Sequence, residues 1–408
     1  MNRRDELPKG RPLRLFYAAG PGDVVGTFRH WLEGRDDPHE VARTFSGQFF
    51  DVCRDLGAEA LVISSHSRPD VAEAGGVRVE NRPGPRCGLR SLGYHLAQVR
   101  HVLDLAAEAR RFRADLAIFV GIDHWFLLEP LVKQGMLVVP AMHCVLWPKH
   151  RSLKGLRYLL ARRNTRLVRQ SAAILSHSHD ISRQLTLYDN RIADKLLMFR
   201  PTYRPGQFED SEPPEPPPFR ILYAGRIELN KGVFDLLEIA KRLFDEKNLE
   251  IEFDVCGHGG AFQELQDRVQ EAGLADRFRL YGQCDRPTMH RMYQRSHVIV
   301  VPTTTGFIEG FNMVIAEGIL GGRPVVTSSV CPALDYVRDA VVEVPPDDVS
   351  AYTLAIRRLV TEPDLYRSKR AACNSLRDQF LDDSQGWGAA LKEAIARNCE
   401  DVPIPMVR

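Results

Sequence analysis

Short apolar runs alternate with longer helix-like segments along the first half of the chain. The runs cover residues 13–19, 60–64, 116–120, 136–140 and 172–176, and the helix-like stretches include residues 45–56 and 92–112. Short apolar runs bounded by turn residues are typical of buried strands. Their alternation with helices predicts a parallel sheet with helices on both faces.

The pattern breaks at residues 201–218, where prolines are mixed with acidic residues. Proline can neither donate to a sheet nor continue a helix, so this segment predicts an extended, stiff linker. The alternation then restarts, with apolar runs at residues 219–224, 251–255, 278–281, 298–301 and 324–327, before a mainly helical tail at 350–398. The second half is therefore predicted to be another α/β unit.

These patterns predict a two-domain organisation. We expect an amino-terminal Rossmann-like domain over residues 1–200, a linker over 201–218 and a carboxyl-terminal Rossmann-like domain over 219–385. A helical tail over 386–408 is expected to pack back on the amino-terminal domain. Two such domains facing each other across a hinge leave a deep cleft, where ligands usually bind.

Composition narrows the class of protein. The chain has 408 residues, 44% hydrophobic and 26% charged, with a net charge of +2, which does not indicate nucleic-acid binding. Its eight cysteines form no C-x-x-C pair, which fits a reducing cytosol better than a disulfide framework. The first twelve residues lack a secretory apolar core, and no apolar run approaches the roughly 20 residues needed to cross a bilayer. We therefore expect a cytoplasmic protein.

Two carboxylates follow the apolar run at residues 297–302. Glu309 and Glu317 are eight positions apart, separated by a glycine-containing turn and an apolar helical segment. Eight residues span a little over two helical turns, so both carboxylates can face one cleft. The alternative is an ordinary helix with two surface glutamates.

A second candidate site follows the run at 219–224. Gly225 and Gly232 allow a tight strand-to-helix turn, and between them lie Arg226 and Lys231. A guanidinium fork and a mobile ammonium suit the two phosphates of a diphosphate. No Gly-Lys-Ser/Thr follows, so this is not a Walker loop. The alternative is a solvated basic loop.

Taken in order, these segments resemble one family. The motifs are Gly225-Arg226 to Lys231-Gly232, Cys256-Gly257-His258-Gly259, Leu280-Tyr281-Gly282, Glu309-Gly310-Phe311 to Glu317, and Gly321-Gly322-Arg323-Pro324-Val325-Val326. They resemble the nucleotide-binding half of the family 4 glycosyltransferases over most of residues 219–390. The resemblance implies the GT-B fold, two Rossmann-like α/β domains facing a central cleft, and a retaining sugar transfer with an E-x7-E motif.

The resemblance also implies roles for individual residues. Arg226 and Lys231 would bind the donor diphosphate, Glu309 would lie near the donor sugar, and Glu317 would accept hydrogen bonds from ribose hydroxyls. The donor-binding residues matched in the same way are Gly22, Gly225, Gly257, Gly310, Phe311 and Asn312. The family usually has glycine at the position of Asn312, a departure on the sugar side of the site.

The amino-terminal half resembles the family less closely. Gly22 lies in the glycine cluster at residues 20–26, and the next clear helix is expected only near residue 46, which leaves a long loop that could shape the acceptor site. By resemblance His143 would lie beside the reacting centre, and His124 is a weaker cleft candidate. His177 and His179 form an H-x-H without partner ligands, so we expect a structural role for them.

The chain contains no D-x-D triplet, the motif of metal-dependent glycosyltransferases of the other major fold. We expect neither a metal nor a cofactor, with the nucleotide-diphosphate sugar as donor substrate.

One segment stands out by its charge. Residues 149–170 carry no acidic residue, and the basic residues are Lys149, Arg151, Lys154, Arg157, Arg162, Arg163, Arg166 and Arg169. Leu153, Leu156, Leu160 and Leu167 recur at helical spacing, which predicts a basic amphipathic helix. It fits a peripheral contact with anionic lipid at the inner face of the membrane, or a solvated face that packs its leucines on its own domain.

The sequence thus predicts a GT-B glycosyltransferase that moves a sugar to an acceptor hydroxyl, in polysaccharide or glycoconjugate biosynthesis. The acceptor would be a glycan, a glycolipid or a small molecule. Two alternatives stay open: another GT-B enzyme, such as a sugar phosphorylase or a nucleotide-sugar epimerase, and a non-catalytic nucleotide-sugar-binding partner protein.

Overall fold

The computed structural model describes residues 11–84, 92–122, 124–150, 154–208 and 212–399. Cys87, Arg151, Leu153, residues 209–211, the first ten residues and residues 400–408 of the predicted tail lie outside these ranges. The first half contains eight strands: β1 (Arg14–Ala18), β2 (Glu59–Ser64), β3 (Asp70–Ala74), β4 (Val77–Asn81), β5 (Leu116–Val120), β6 (Leu137–Met142), β7 (Ile174–Ser176) and β8 (Leu196–Met198).

The helices of this half confirm the two segments predicted at residues 45–56 and 92–112. They are α1 (Val24–Leu32), α2 (Phe45–Leu56), α3 (Leu92–Arg111), α4 (Glu129–Lys133), α5 (Gly155–Gln170) and α6 (His179–Tyr188). The sheet has the order β3-β4-β2-β1-β5-β6-β7-β8 and is parallel except for the β3–β4 hairpin, which the sequence did not predict.

The second half forms a separate parallel sheet in the order β11-β10-β9-β12-β13-β14. Its strands are β9 (Phe219–Ala224), β10 (Ile251–Cys256), β11 (Phe278–Gly282), β12 (Val298–Val301), β13 (Val325–Ser328) and β14 (Val341–Val344). Its helices are α7 (Val233–Phe244), α8 (Phe262–Glu271), α9 (Arg286–Arg295), α10 (Met313–Leu320), α11 (Leu334–Val337), α12 (Val349–Thr361), α13 (Pro363–Leu376) and α14 (Trp387–Asn398). The predicted pair of α/β units is thus confirmed.

Each sheet is the middle of three layers. Successive residues of β1 enter different cores, since Leu15 and Tyr17 pack on one face and Phe16 and Ala18 on the other. In β9, Ile221 and Leu222 likewise pack in different cores, on opposite faces of the sheet. Strands buried on both faces explain why their sequences are continuous apolar runs.

The expectation of a long loop between residues 20 and 46 is wrong, because α1 lies within it. Asp23 caps this helix by accepting from the Gly26 amide, and Val24, Val25 and Phe28 are buried on the sheet. The apolar spacing was readable, but glycines on both sides of the cap and within the first turn obscured it.

The proline-rich connector, predicted to be an extended, stiff linker, packs in part against the second domain. Tyr203 and Phe208 are buried against the second domain, and the Tyr203 amide donates to the Phe380 carbonyl at 2.9 Å. Composition alone does not show such anchoring. At the end of the described chain, α14 packs on α2, and the Gly388 amide donates to Gln48 Oε1 at 3.0 Å. The chain therefore crosses between the two domains twice.

Candidate active site

A cleft of about 1270 Å³ lies between the two sheets. On one side it is lined by residues that follow β1, β5 and β6, and on the other by residues that follow β9 and β12. In both sheets the order reverses next to these strands, with β2 and β5 flanking β1, and β10 and β12 flanking β9. Ligands of parallel α/β sheets bind at the carboxyl ends of strands where the order reverses. The strand order of both sheets therefore predicts that ligands bind in this cleft.

The Glu309 carboxylate is the centre of a hydrogen-bonded group on the cleft wall. Lys231 Nζ donates to Glu309 Oε2 at 2.6 Å, and Asn312 Nδ2 donates to the same oxygen at 2.8 Å. The other oxygen accepts from the Gly310 amide at 3.2 Å. Lys231 and Glu309 keep only 15% and 11% of their side chains exposed, so this ion pair is screened less than a surface pair.

Backbone geometry explains the residue at position 312. Asn312 has φ of 72°, the left-handed conformation that favours glycine, and it immediately precedes α10. Asparagine tolerates this conformation better than other residues with a side chain. The departure from glycine therefore preserves the turn and adds an amide group beside Glu309.

Phe307 connects the two basic residues of the predicted diphosphate site. Lys231 Nζ lies 4.0 Å and the Arg226 guanidinium carbon 5.4 Å from the centroid of the Phe307 ring. Arg226 also pairs with Glu228 at 3.1 Å, and its side chain is 58% exposed toward the cleft. Both cations therefore border the cleft, with an aromatic face to support them. The sequence analysis missed Phe307, although an aromatic residue in a loop of small polar residues was a readable signal.

The two domains meet closely at Gly310. A Cβ placed on Gly310 would lie 1.8 Å from the His143 carbonyl oxygen, so only glycine permits this approach. The Val145 amide also donates to the Glu309 carbonyl at 3.2 Å. The loop that carries Glu309 is thus held against the loop that follows β6.

His143 lies in an aromatic cluster at the base of the cleft. Its ring is 4.5 Å from Phe45 and 5.8 Å from His177, and His177 stacks on Phe199 and Phe311. Burial lowers the pKa of His143 to about 4, and that of His177 well below its usual value. Both imidazoles are therefore neutral near pH 7. His177 packs on the aromatic rings and also lines the cleft, and the structural role expected for it stays a prediction.

Glu317 has a different environment from Glu309. It is 7% exposed and does not line the cleft. Its carboxylate accepts hydrogen bonds from the Tyr293 hydroxyl and, at 3.4 Å, from the Tyr203 hydroxyl. Burial raises its pKa to about 7. Sequence reasoning missed both tyrosines, and the ribose contact stays a prediction.

Some of the other predicted site residues line the cleft, and some do not. Gly22 and Gly225 line the cleft. Gly257 does not; a Cβ there would lie 1.8 Å from the Gly225 carbonyl oxygen, so it permits the close approach of two strand ends. His124 is buried, with its Nε2 3.3 Å from His95 Nδ1, and lies outside the cleft lining.

Residues 155–170 of the basic segment form α5, and side chains of this helix border two pockets. Ala161, Asn164, Thr165 and Val168 border the cleft. The outer face borders a groove of about 610 Å³ lined by Tyr158, Leu159, Arg162, Arg163, Thr165, Arg166, Arg169 and Leu187. The predicted packing is confirmed for Leu167, which is buried, whereas the side chains of Leu156, Arg157 and Leu160 are not described.

The described part of the chain offers neither a metal cluster nor a membrane-crossing helix. No group of three or more His, Cys, Asp or Glu side chains among the described residues could hold a metal ion. None of the described helices has the length and apolar character required to cross a bilayer.

The carboxyl-terminal half of the site lies in a segment that matches a family model. Residues 206–375 match the model of the glycosyl transferases group 1 family. This segment contains Arg226, Lys231, Glu309, Asn312 and Glu317. A 2-deoxystreptamine N-acetyl-D-glucosaminyltransferase of Streptomyces fradiae is 28% identical over 323 residues, which cover 72% of this chain and 75% of that protein. Matches to the first curated relatives span only 28 to 46% of their lengths.

Solved structures establish the fold. Sucrose-phosphate synthase from Thermosynechococcus elongatus superposes with a TM-score of 0.65 at 17% identity, covering 95% of this chain and 98% of that one. HepE of Anabaena, in complex with UDP and glucose, superposes with a TM-score of 0.64 at 14% identity, covering 95% of this chain and all of that one. The chain has the GT-B fold. These likenesses concern the fold of the whole chain, whereas the match to the glycosyl transferases group 1 model concerns residues 206–375.

Proposed function

We propose that this protein transfers a sugar from a nucleotide-diphosphate donor to an acceptor hydroxyl. The observation that carries the proposal is the Lys231–Glu309 ion pair, with Arg226 beside it, on the cleft wall where strands of both sheets end. A cation pair suits a diphosphate, and a carboxylate suits sugar hydroxyls. HepE of Anabaena, which shares the fold, was crystallised with UDP and glucose, and this supports the same donor class here.

The proposed reaction breaks the bond between the anomeric carbon and the diphosphate oxygen. Arg226 and Lys231 would stabilise the negative charge that develops on the leaving diphosphate, which lowers the barrier because this charge is greatest late in the reaction. The acceptor oxygen would form the new bond to the anomeric carbon on the same face, and its proton would pass to the departing diphosphate. The anomeric configuration would then be retained, without a metal or cofactor.

His143 would contribute as a neutral group beside the sugar. Its pKa of about 4 keeps it uncharged at pH 7, so it can exchange hydrogen bonds with hydroxyls without opposing the cationic diphosphate site. Glu309 would accept from donor-sugar hydroxyls rather than act as a nucleophile.

The first experiment is a thermal-shift screen of the full chain with UDP, GDP, ADP and their common hexose conjugates. A bound donor raises the melting temperature by mass action. The conjugates that raise it are then incubated with protein, and release of nucleoside diphosphate is measured. Release supports a transferase, and the configuration of the product, read by nuclear magnetic resonance, tests retention.

Other outcomes would replace this proposal. Sugar 1-phosphate formed only with added inorganic phosphate would indicate a phosphorylase, and a nucleotide-linked epimer would indicate an epimerase. Binding without turnover, across acceptors that include glycans and lipid-linked sugars, would indicate a nucleotide-sugar-binding partner.

We further propose that α5 places the acceptor end of the cleft against an anionic membrane surface. Tyr158, Leu159 and Leu187 are 42%, 59% and 78% exposed around the arginine groove. Arg162 and Arg166 form no ion pair with any residue that the structure describes. Apolar side chains beside free guanidinium groups suit the headgroup region of a bilayer. The opposite face of the same helix lines the cleft, so a lipid-linked acceptor would enter along it.

Vesicle flotation tests this contact. The double substitution R162E and R166E should abolish binding to vesicles that contain phosphatidylglycerol, because it reverses the charge of both free guanidinium positions in the groove. The same charge change at Lys241 and Lys247, away from α5, is the matched control. No flotation of the parent protein, or equal loss in both variants, would contradict the proposal.

A further inference from the structure

The hydrogen bonds of Glu309 would have to change when a nucleotide-diphosphate donor binds. One of its oxygens accepts from both Lys231 Nζ and Asn312 Nδ2, at 2.6 and 2.8 Å. Among the residues that the structure describes, the other oxygen accepts only from the Gly310 amide, at 3.2 Å. Under the proposed function, Lys231 must turn toward a diphosphate, and a lysine on its flexible stem can do so. Glu309 would then lose its cationic partner while remaining largely buried, since its side chain is only 11% exposed.

A buried carboxylate that loses its cationic partner is destabilised, so the donors that remain become more important. The Asn312 carboxamide is one of them, because a carboxylate can only accept and the amide must therefore direct its N–H group toward Glu309. Glycine, with the same backbone conformation, would supply no such donor. The side chain at this position thus supplies a donor that does not depend on Lys231.

We propose that Asn312 is a positioning residue that holds the ionised Glu309 carboxylate in place when Lys231 moves to a bound nucleoside diphosphate. The inference rests on the proposed function and concerns the diphosphate, whichever sugar the donor carries. Asn312 itself contacts Glu309 and need not touch the reacting atoms. It contributes by lowering the cost of separating the Lys231–Glu309 pair.

The test measures the affinity of UDP or GDP, whichever raises the melting temperature, by titration calorimetry. Asn312→Gly keeps the left-handed turn and removes the donor, so we expect affinity to fall about tenfold. Asn312→Asp also tolerates the turn but places a second carboxylate against Glu309, so its affinity should fall further near pH 8 and recover partly toward pH 5. A role in the backbone turn alone predicts that both variants bind normally.

A double-mutant cycle separates positioning from a general structural effect. In Glu309→Gln, Lys231 has no carboxylate to leave, so adding Asn312→Gly should change affinity less than about twofold. Arg113→Gly is the matched control, because Arg113 also has a left-handed φ of 53° and lies outside the cleft lining. The Arg113→Gly variant should bind the nucleoside diphosphate with the same affinity as the parent protein.

The outcomes are distinct. A tenfold loss that disappears in the Glu309→Gln background supports the inference. Equal losses in both backgrounds, or no loss in either, overturn it while leaving the proposed function intact. Failure of the parent to bind any of the nucleotides overturns the proposed function, and this inference with it.

Discussion

Glu309 and Glu317 are two carboxylates of one motif with nearly the same exposure, 9% and 7%. Glu309 has Lys231 as an ionic partner and faces a cleft shared by both domains. Glu317 has the hydroxyls of Tyr203 and Tyr293, and burial raises its pKa to about 7. The difference shows that two carboxylates of one motif with similar burial can have different partners, an ammonium group for Glu309 and two hydroxyl groups for Glu317.

Replacing Lys231 with Ala should have the largest effect, because it removes the charge that distinguishes the Glu309 site. We expect the rate of sugar transfer to fall by a factor of about 100 or more, the order seen when a group that stabilises transition-state charge is removed. Lys247→Ala, an exposed position on the same domain, should have no effect. Near-parental turnover by a folded Lys231→Ala protein would remove this residue from the proposed mechanism.

Gly310→Ala tests whether the Glu309 site depends on contact between the domains. The added methyl group cannot be accommodated 1.8 Å from the His143 carbonyl oxygen, so the two loops must separate. We expect kcat/KM to fall about tenfold or more, with a larger radius of gyration by small-angle X-ray scattering. Gly260→Ala is the control, because a Cβ there meets no atom within 4 Å. Unchanged kcat/KM would show that the close approach is dispensable.

The raised pKa of Glu317 predicts a pH dependence of stability. The folded protein holds this proton up to about pH 7, whereas the unfolded chain releases it near 4.5. The free energy of unfolding should therefore decrease as the pH rises from about 4.5 to about 7, by roughly 3 kcal/mol from this group, and then level off. Urea denaturation of the parent and of Glu317→Gln across this range measures the difference. Parallel curves for the two proteins would contradict the assignment.

The smallest expected effect is the difference between the two tyrosines in their influence on the pKa of Glu317. Tyr293→Phe and Tyr203→Phe each remove a hydroxyl that donates to the Glu317 carboxylate, so each should raise its pKa further. Tyr293 makes the closer contact, whereas Tyr203 Oη is 3.4 Å away, so the shift should be larger for Tyr293→Phe. The midpoint of the stability profile measures both shifts. A downward shift in either variant would show that the hydroxyl does not stabilise the carboxylate.

Much of the fold followed from local pattern. The strands at residues 116–120, 219–224 and 298–301 appear with the predicted bounds, because parallel strands buried on both faces are continuous apolar runs. The β3–β4 hairpin at the sheet edge was not predicted, because Asp70–Ala74 is largely exposed and has no such run. Helix α1 was missed because glycines around its cap resemble a loop.

The residues of the site also include some that the sequence predicted and some that it missed. The sequence singled out Arg226, Lys231, Glu309 and His143, and the structure brings all four to one cleft. It could not identify Tyr203 or Tyr293, whose importance comes from the groups they contact rather than from any motif of their own.

The sequence by itself determined the strand–turn–helix units, the glycine-like turn at Asn312 and the presence of two carboxylates eight positions apart. Only the tertiary structure decided what each carboxylate contacts. The partners lie 78 residues away for Lys231, 24 for Tyr293 and 114 for Tyr203. Local periodicity specifies which face of an element is apolar, but the charge state of a buried acid depends on groups that only chain folding brings within a few ångströms.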